Sequence, residues 1–113
     1  MQIIAEQKLT EFAQRHSTSR PGLFRWLELM QQADFSSVTE LRKTFPHADL
    51  VKKETPAQPK QRVPYSNRET TFTVFNIGGN KARLIAIMRY DSQQVVIHQV
   101  LTHAEYDAWN RRR

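Results

Sequence analysis

The sequence contains no cysteine, only three glycines, and no long apolar run. Without cysteine there can be neither a disulfide framework nor a thiolate metal site, which fits an intracellular setting. A membrane-spanning helix needs roughly 20 consecutive apolar residues, and the chain has no such stretch. The N-terminus lacks the charged-then-apolar pattern of a secretory signal. We therefore expect a cytoplasmic protein that does not insert into a membrane.

Acidic residues are also scarce relative to basic ones, with 11 against 17 and a net charge of +6. Residues 1–35 balance four basic with four acidic side chains, whereas residues 36–71 carry seven against four and residues 72–113 carry six against three. This excess favours a polyanionic partner, either nucleic acid or an acidic protein. The alternative is that the charge only keeps an ordinary domain soluble.

Several enzyme signatures are missing. The pattern G-x-x-x-x-G-K-[ST] is absent and so is G-x-G-x-x-G, so Gly78-Gly79-Asn80 is predicted to be a hairpin turn rather than a phosphate cradle. There is no H-E-x-x-H, and the aspartates are scattered along the chain. We therefore expect neither a metal ion nor a cofactor.

The length of 113 residues indicates a single domain, residues 1–113, of class α+β. Apolar residues at helical spacing predict an antiparallel helix pair between Glu6 and Gln32, and a capping box at Ser37 predicts a short helix over Val38–Thr44. The segment Gln2–Ile4 is a candidate strand. Alternation then predicts an antiparallel meander of three strands, Thr71–Ile77, Lys81–Tyr90 and Val95–Thr102. A second capping box, from Thr102 to Glu105, predicts a short C-terminal helix.

Residues 52–68 contain three prolines and little apolar content, which predicts a flexible basic loop. Lys60, Arg62 and Arg68 within it are candidate contacts for RNA phosphates. The loop is equally well interpreted as a solvated connection.

Strand alternation divides the middle strand into two faces. Ala82, Leu84 and Ala86 point one way, toward the predicted helices, while Lys81, Arg83, Ile85 and Arg89 point the other way. In the last strand His98 and Val100 are predicted to share one face, with Ile97, Gln99 and Leu101 on the opposite one. The second face of the sheet would then be open and basic.

These residues supply chemistry for cleaving RNA without a metal. A cation such as Lys81 or Arg83 can neutralise the phosphate oxygens, and an imidazole such as His103 can act as acid or base near neutrality. Tyr106 can stack on a base or position a proton. The alternative for His103 is a structural hydrogen bond at the start of a helix.

Two motifs carry a resemblance that covers nearly the whole chain. The run Val74 to Leu84, VFNIGGNKARL, followed by Thr102 to Asp107, THAEYD, resembles the HigB family of toxins. The resemblance implies a RelE/ParE-like fold with a small antiparallel sheet, N-terminal helices on one face and a short C-terminal helix. It also implies cleavage of mRNA on translating ribosomes, and a helix-turn-helix antitoxin of the HigA type that links the toxin to operator DNA only indirectly.

Carried over to this chain, the resemblance implies that Arg83, His103 and Tyr106 are catalytic and that Lys81 assists them. Arg89 and His98 would contact RNA, although many relatives carry arginine at the position of His98. Two rival hypotheses are also compatible with the sequence. One is a ParE-like inhibitor of a topoisomerase, and the other is an RNA-binding domain that cleaves nothing.

Overall fold

A computed structural model of the chain describes residues 1–56 and 67–112. Lys60 and Arg62 therefore lie outside the described residues. The described strands are β1 (Gln2–Ile4), β2 (Asp49–Pro56), β3 (Asn67–Ile77), β4 (Ala82–Arg89) and β5 (Gln94–Leu101), and the described helices are α1 (Gln7–Arg15), α2 (Arg20–Gln32), α3 (Val38–Thr44) and α4 (His103–Arg111). Among these residues no helix combines the length and apolar character needed to cross a membrane.

The strands form one mixed sheet in the order β1-β5-β4-β3-β2. In the series β2, β3, β4 and β5 each strand runs antiparallel to the next. The predicted meander is therefore confirmed, and β2 extends it. At the other edge β1 pairs in parallel with β5, which makes the sheet mixed rather than purely antiparallel. The α+β class and the packing of the N-terminal helices on one face are as predicted.

Helices α1 and α2 cover one face of the sheet. Their side chains Phe12, Leu23 and Trp26 form a core with Leu84 and Phe75 of the sheet. Complete burial of a side chain of this size contributes roughly 1.5–3 kcal/mol. The predicted parity of β4 is confirmed here, because the even-numbered residues of β4 belong to this core and Ile85 does not.

The prediction of a loop over residues 52–68 is wrong at both ends of that segment. Strand β2 continues to Pro56 and β3 begins at Asn67, and the two are paired from Asp49–Val74 to Pro56–Asn67. The backbone of Arg68 is therefore in a strand, as are the lysines at the start of the expected loop. Proline is tolerated at the end of an edge strand, and lysine commonly protects such edges from aggregation. Composition alone could not distinguish these paired ends of β2 and β3 from a loop.

Helix α4 packs on the second face of the sheet, which we expected to be open. Trp109 is 9% exposed and forms a second small core with Phe72, Val74 and Ile85. The rings of Trp109 and Phe72 meet edge-on with centroids 5.4 Å apart. The ammonium of Lys53 lies over the Trp109 ring, 4.4 Å from its centroid. This second core fixes α4 across the face that carries Arg83.

Both ends of α4 are satisfied by side chains. At the start, the Thr102 hydroxyl accepts from the Glu105 N–H at 3.2 Å, and the Glu105 carboxylate accepts from the Thr102 N–H at 2.9 Å, so the predicted capping box is confirmed. At the end, the Lys53 ammonium donates to the carbonyls of Trp109 and Arg112. A cation is favoured there by the partial negative charge of the helix terminus. Burial, and to a lesser extent Arg112, lowers the pKa of Lys53.

Glycine is required where α2 approaches the β3–β4 turn. A Cβ atom on Gly22 would lie 2.9 Å from the Cγ2 of Ile77 and 3.2 Å from the nitrogen of Gly78. In the turn itself Gly78 has a φ of 57° and Gly79 a φ of 70°, a region that other residues rarely adopt. These glycines therefore set the position of the turn that leads into Arg83.

The second core predicts that Trp109→Ala will destabilise the protein by about 3 kcal/mol, since truncating a buried aromatic leaves a cavity. Urea denaturation followed by circular dichroism measures this loss. Leu50→Ala is the matched control because Leu50 is 41% exposed, and it should change stability by no more than about 0.5 kcal/mol. Equal stability of Trp109→Ala and wild type would contradict the proposed anchoring of α4.

Candidate active site

Arg83 and Tyr106, two of the four predicted catalytic residues, lie close together at one end of the sheet, and His103, a third, starts the helix that carries Tyr106. Arg83, the second residue of β4, pairs with Leu101 near the end of β5, and α4 starts two residues later at His103. The guanidinium carbon of Arg83 lies 5.9 Å from the centroid of the Tyr106 ring. We call Arg83, His103, Tyr106 and Asp107 the β4–α4 cluster.

The guanidinium of Arg83 is held by the turn that precedes it. Its Nη1 donates to the carbonyls of Gly79 and Ala82, both at 3.2 Å, and its Nη2 donates to the Oδ1 of Asn80 at 3.0 Å. Arg83 is only 8% exposed, yet within the described ranges it forms no ion pair with a carboxylate. Its orientation is therefore fixed by neutral groups, and its positive charge is left to interact with an anion such as a phosphate.

Tyr106 lies between charges of opposite sign. Burial is the main cause that raises the pKa of Tyr106, and the carboxylates of Asp49 and Asp107 raise it further while Arg83 acts in the opposite direction. A phenol with a raised pKa stays protonated at neutral pH. Tyr106 can therefore donate a hydrogen bond or stack on a flat group, but it is poorly suited to act as a base.

His103 and Asp107 lie one turn apart on α4. The Nδ1 of His103 is 3.5 Å from the Oδ2 of Asp107, and the two side chains are 48% and 53% exposed. A carboxylate at Nδ1 orients the ring and leaves Nε2 as the atom that can exchange a proton with a ligand. The exposure of the pair gives a substrate access to this atom.

Two further residues belong to this end of the sheet and were missed in the sequence. Asn80 looked like a turn residue, but its amide oxygen accepts a hydrogen bond from Arg83. The sequence signal for this contact was an asparagine three residues before the arginine. Asp49 looked like one scattered aspartate. The strand register places it opposite Val74, which in turn pairs with Ile85, so Asp49 shares the face of Arg83 and α4. Only the pairing of β2 could reveal this.

Two predicted cations lie apart from the cluster. Lys81 is in the turn rather than in β4, and its ammonium points to the carbonyl of Thr18, 3.5 Å away on the side of the helices. Arg89 is exposed at the opposite end of β4, six residues from Arg83. At roughly 3.4 Å per residue the two arginines are about 20 Å apart. The prediction that Lys81 shares the face of Arg83 is therefore wrong, and Arg89 lies further along the strand, as expected.

His98 interrupts the alternation of β5. Ile85 pairs with Gln99 but Ala86 pairs with Ile97, so His98 is the extra residue of a β-bulge. Its ring lies 4.9 Å from the Phe72 ring and 6.5 Å from the Trp109 ring, measured between centroids. The predicted faces of β5 are therefore wrong beyond His98, since Val100 joins the first core.

This packing changes the titration of His98. Burial, with a smaller contribution from Lys8, lowers the pKa of His98. Its ring thus belongs to the second core, and it is not brought to the β4–α4 cluster.

A small α+β protein with a fixed cation, an imidazole and a phenol at one end of its sheet has the groups needed to handle a phosphodiester. The comparisons with known proteins define the class further. Residues 19–109 match the HigB toxin family, described as the RelE-like toxic component of a toxin-antitoxin system. The chain belongs to this family, as the sequence motifs had indicated. A toxin of this kind implies an antitoxin partner.

Curated relatives span nearly the whole chain. An mRNA interferase HigB of Escherichia coli O6:H1 is 27% identical over 111 residues, which cover 98% of this chain and 93% of the relative. The mRNA interferase toxin HigB of Escherichia coli K12 is 27% identical over 107 residues, covering 95% and 88% of the two chains. An mRNA interferase HigB of Shigella flexneri is also 27% identical over 107 residues, covering 95% of this chain and 88% of the relative.

The lowered pKa of His98 predicts a pH dependence of stability. The unfolded chain has a histidine pKa of about 6.5, above that of the folded state, so the unfolded chain takes up the proton first on acidification. Stability that is fully present above the unfolded pKa is therefore lost as the pH falls through it. His98→Phe keeps a ring against Phe72 but removes the titration. Urea denaturation at pH 7.5 and 5.0, values chosen to bracket the unfolded pKa at about 6.5, should show a smaller loss in this variant than in wild type.

The exposed His47 provides the matched control for this experiment. His47→Gln should lose as much stability as wild type between the two pH values. If His98→Phe also loses as much as wild type, His98 does not contribute to the acid sensitivity and its inferred environment is wrong.

Proposed function

We propose that this chain is an mRNA interferase, an endoribonuclease that cleaves mRNA without a metal ion on translating ribosomes and so arrests growth. The observation that carries the proposal is the fixed guanidinium of Arg83 beside Tyr106, at the end of the sheet where His103 starts α4. Within the described residues this guanidinium forms no ion pair with a carboxylate. The relatives that cover nearly the whole chain are named mRNA interferases, which supports the same activity here.

Cleavage by this route uses the 2′-hydroxyl of the RNA as the nucleophile. The hydroxyl loses its proton and attacks the adjacent phosphorus, the bond to the 5′-oxygen breaks, and that oxygen takes up a proton. The products are a 2′,3′-cyclic phosphate and a 5′-hydroxyl. The protein must therefore stabilise the charge on the phosphate oxygens and supply one acid and one base.

The β4–α4 cluster and Asp49 together have a residue for each step. Arg83 would bind the phosphate oxygens, because its planar fork suits two acceptors. His103 would protonate the leaving oxygen through Nε2, since the carboxylate of Asp107 lies beside Nδ1. Tyr106 would stack on a base or donate a hydrogen bond. Asp49, a carboxylate without an ion pair in the described part of the chain, would accept the proton of the 2′-hydroxyl.

Other cations would guide the RNA rather than take part in the reaction. Lys81 lies in the turn that precedes Arg83, with its ammonium on the side of the helices, and Arg89 lies at the far end of β4. The basic segment with Lys60, Arg62 and Arg68 would add electrostatic attraction to the same polyanion. Such contacts would make binding depend on salt concentration.

We further propose that the antitoxin is a helix-turn-helix protein of the HigA type. The toxin would meet operator DNA only through that partner. The support is the family itself, a toxin of a toxin-antitoxin system. A neighbouring reading frame that encodes a helix-turn-helix protein, and whose co-expression restores growth, would bear this out.

Removing the cation of the cluster should abolish most of the activity. Arg83→Ala should slow cleavage of ribosome-bound mRNA by about 10²–10³-fold, since one preorganised charge-stabilising donor is typically worth this much. Primer extension on mRNA from cells that express the chain without its antitoxin measures the rate. Arg25→Ala removes an exposed arginine from the middle of α2, a helix on the opposite face of the sheet from α4, and should cleave at the wild-type rate.

Removing the imidazole should have a comparable effect. His103→Ala should slow cleavage by about 10²–10⁴-fold, the range for loss of a general acid or base, while circular dichroism shows a folded protein. If Arg83→Ala and His103→Ala both stay folded and both arrest growth like wild type, the catalytic assignment is wrong. DNA damage with intact mRNA would instead indicate a topoisomerase inhibitor.

A further inference from the structure

A small cavity lies next to the β4–α4 cluster. It has a volume of about 140 Å³ and is lined by Thr44 at the end of α3, by residues 45–48, which link α3 to β2, and by Phe75 and Asn76 of β3. Strand β2 starts at Asp49, opposite Val74, so the next residues of β3 are flanked by this linker instead of a strand. A cavity of about 150 Å³ in another protein binds benzene, so this space can hold one six-membered ring.

The walls of the cavity are held in place before any ligand binds. The Ala48 N–H donates to the Phe45 carbonyl at 3.0 Å, and the Nε of Arg42 donates to the Ala48 carbonyl at 3.1 Å. The Phe45 ring packs edge-on against Phe75, with centroids 5.2 Å apart. An aromatic ligand that enters such a site loses little free energy to reorganisation of the protein.

One side of the cavity adjoins the cluster at Arg83, and another adjoins Asp49. Asn76 pairs with Arg83 across β3 and β4, which places their Cα atoms about 4.5–5.5 Å apart with both side chains on one face. Ala48 directly precedes Asp49 in the chain. A nucleotide whose phosphate contacts Arg83 would therefore have its neighbouring base within reach of the cavity.

The lining matches the chemistry of a base. Phe45, Pro46 and His47 offer apolar and flat surfaces against which a base can stack. The Asn76 side chain is exposed and forms no side-chain hydrogen bond in the described ranges. An amide carries both a donor and an acceptor, the combination that reads the edge of a nucleobase.

From the cavity and its position beside Arg83 we infer that this site binds one nucleobase of the RNA, and that Asn76 reads its edge. The inference rests on the proposed function and deepens it, because it assigns base preference near the cut to a specific side chain. The limited volume favours a single-ring base, a pyrimidine, at this position.

Cleavage maps test the role of Asn76. Wild type should prefer a pyrimidine at one fixed position next to the cut, and Asn76→Ser should reduce that preference from about tenfold to less than about twofold while the other positions keep theirs. These factors correspond to one stacked or hydrogen-bonded base. Asn110→Ser makes the same change at an exposed position of α4, and this variant should keep the wild-type cleavage map. An unchanged map for Asn76→Ser, or an equal loss of preference at every position, would overturn the inference.

A binding experiment separates this inference from the proposed cleavage. A short RNA with a 2′-deoxy nucleotide at the cut site cannot be cleaved, because its nucleophile is missing. Addition of this RNA to the full chain should shift the NMR signals of the Asn76 amide and the Phe45 ring. An otherwise identical RNA that lacks the base at the preferred position should leave these signals unshifted and still shift Arg83. Equal shifts with both RNAs, or none at the cavity, would contradict the inference even if the chain cleaves mRNA.

Discussion

The packing of Trp109 against Phe72 is the contact on which the candidate site depends. It holds α4 across the sheet, with the rings edge-on and the Lys53 ammonium above the indole. Because α4 carries His103, Tyr106 and Asp107, its position decides whether these side chains face Arg83. The capping box at one end and the Lys53 contacts at the other fix the helix along its length. The second core thus links stability directly to the geometry of the cluster.

The electrostatic arrangement follows from how Arg83 is oriented. A buried arginine is usually paired with a carboxylate, but here carbonyl groups and Asn80 satisfy its donors. The nearby carboxylates act on other groups, since Asp107 lies beside His103 and Asp49 raises the pKa of Tyr106. The site therefore combines a cation that can bind phosphate with acidic and basic groups that are separate from it. This separation suits a reaction that needs charge stabilisation and two proton transfers.

Local patterns predicted those parts of the fold that depend on nearby residues. The helix pair, the β3–β4 hairpin and the parity of β4 came from apolar periodicity and the Gly78-Gly79-Asn80 turn. The capping box placed the start of α4 correctly, because both of its partners lie within four residues. The resemblance to the HigB family singled out Arg83, His103 and Tyr106 among the candidates that the strand pattern had already offered.

The errors came from contacts between distant parts of the chain. The bulge at His98 depends on how β5 pairs with β4, so strand alternation could not reveal it. Lys81 turned toward Thr18 because a helix junction lies close by. Asp49 joined the face of the cluster only through the register of β2 with β3. The pairing of Lys52 and Lys53 in β2 was hidden by a proline-rich composition.

The central claim is that side chains of this protein, acting on the 2′-hydroxyl, cut RNA without a metal ion. The most direct measurement is the chemistry of the new RNA ends after incubation of ribosome-bound mRNA with the purified chain, followed by mass spectrometry. A chelator concentration that preserves the ribosomes but removes metal ions bound only to the toxin should leave the reaction unchanged. The account predicts 2′,3′-cyclic phosphate and 5′-hydroxyl ends. Fragments with 3′-hydroxyl and 5′-phosphate ends would contradict it.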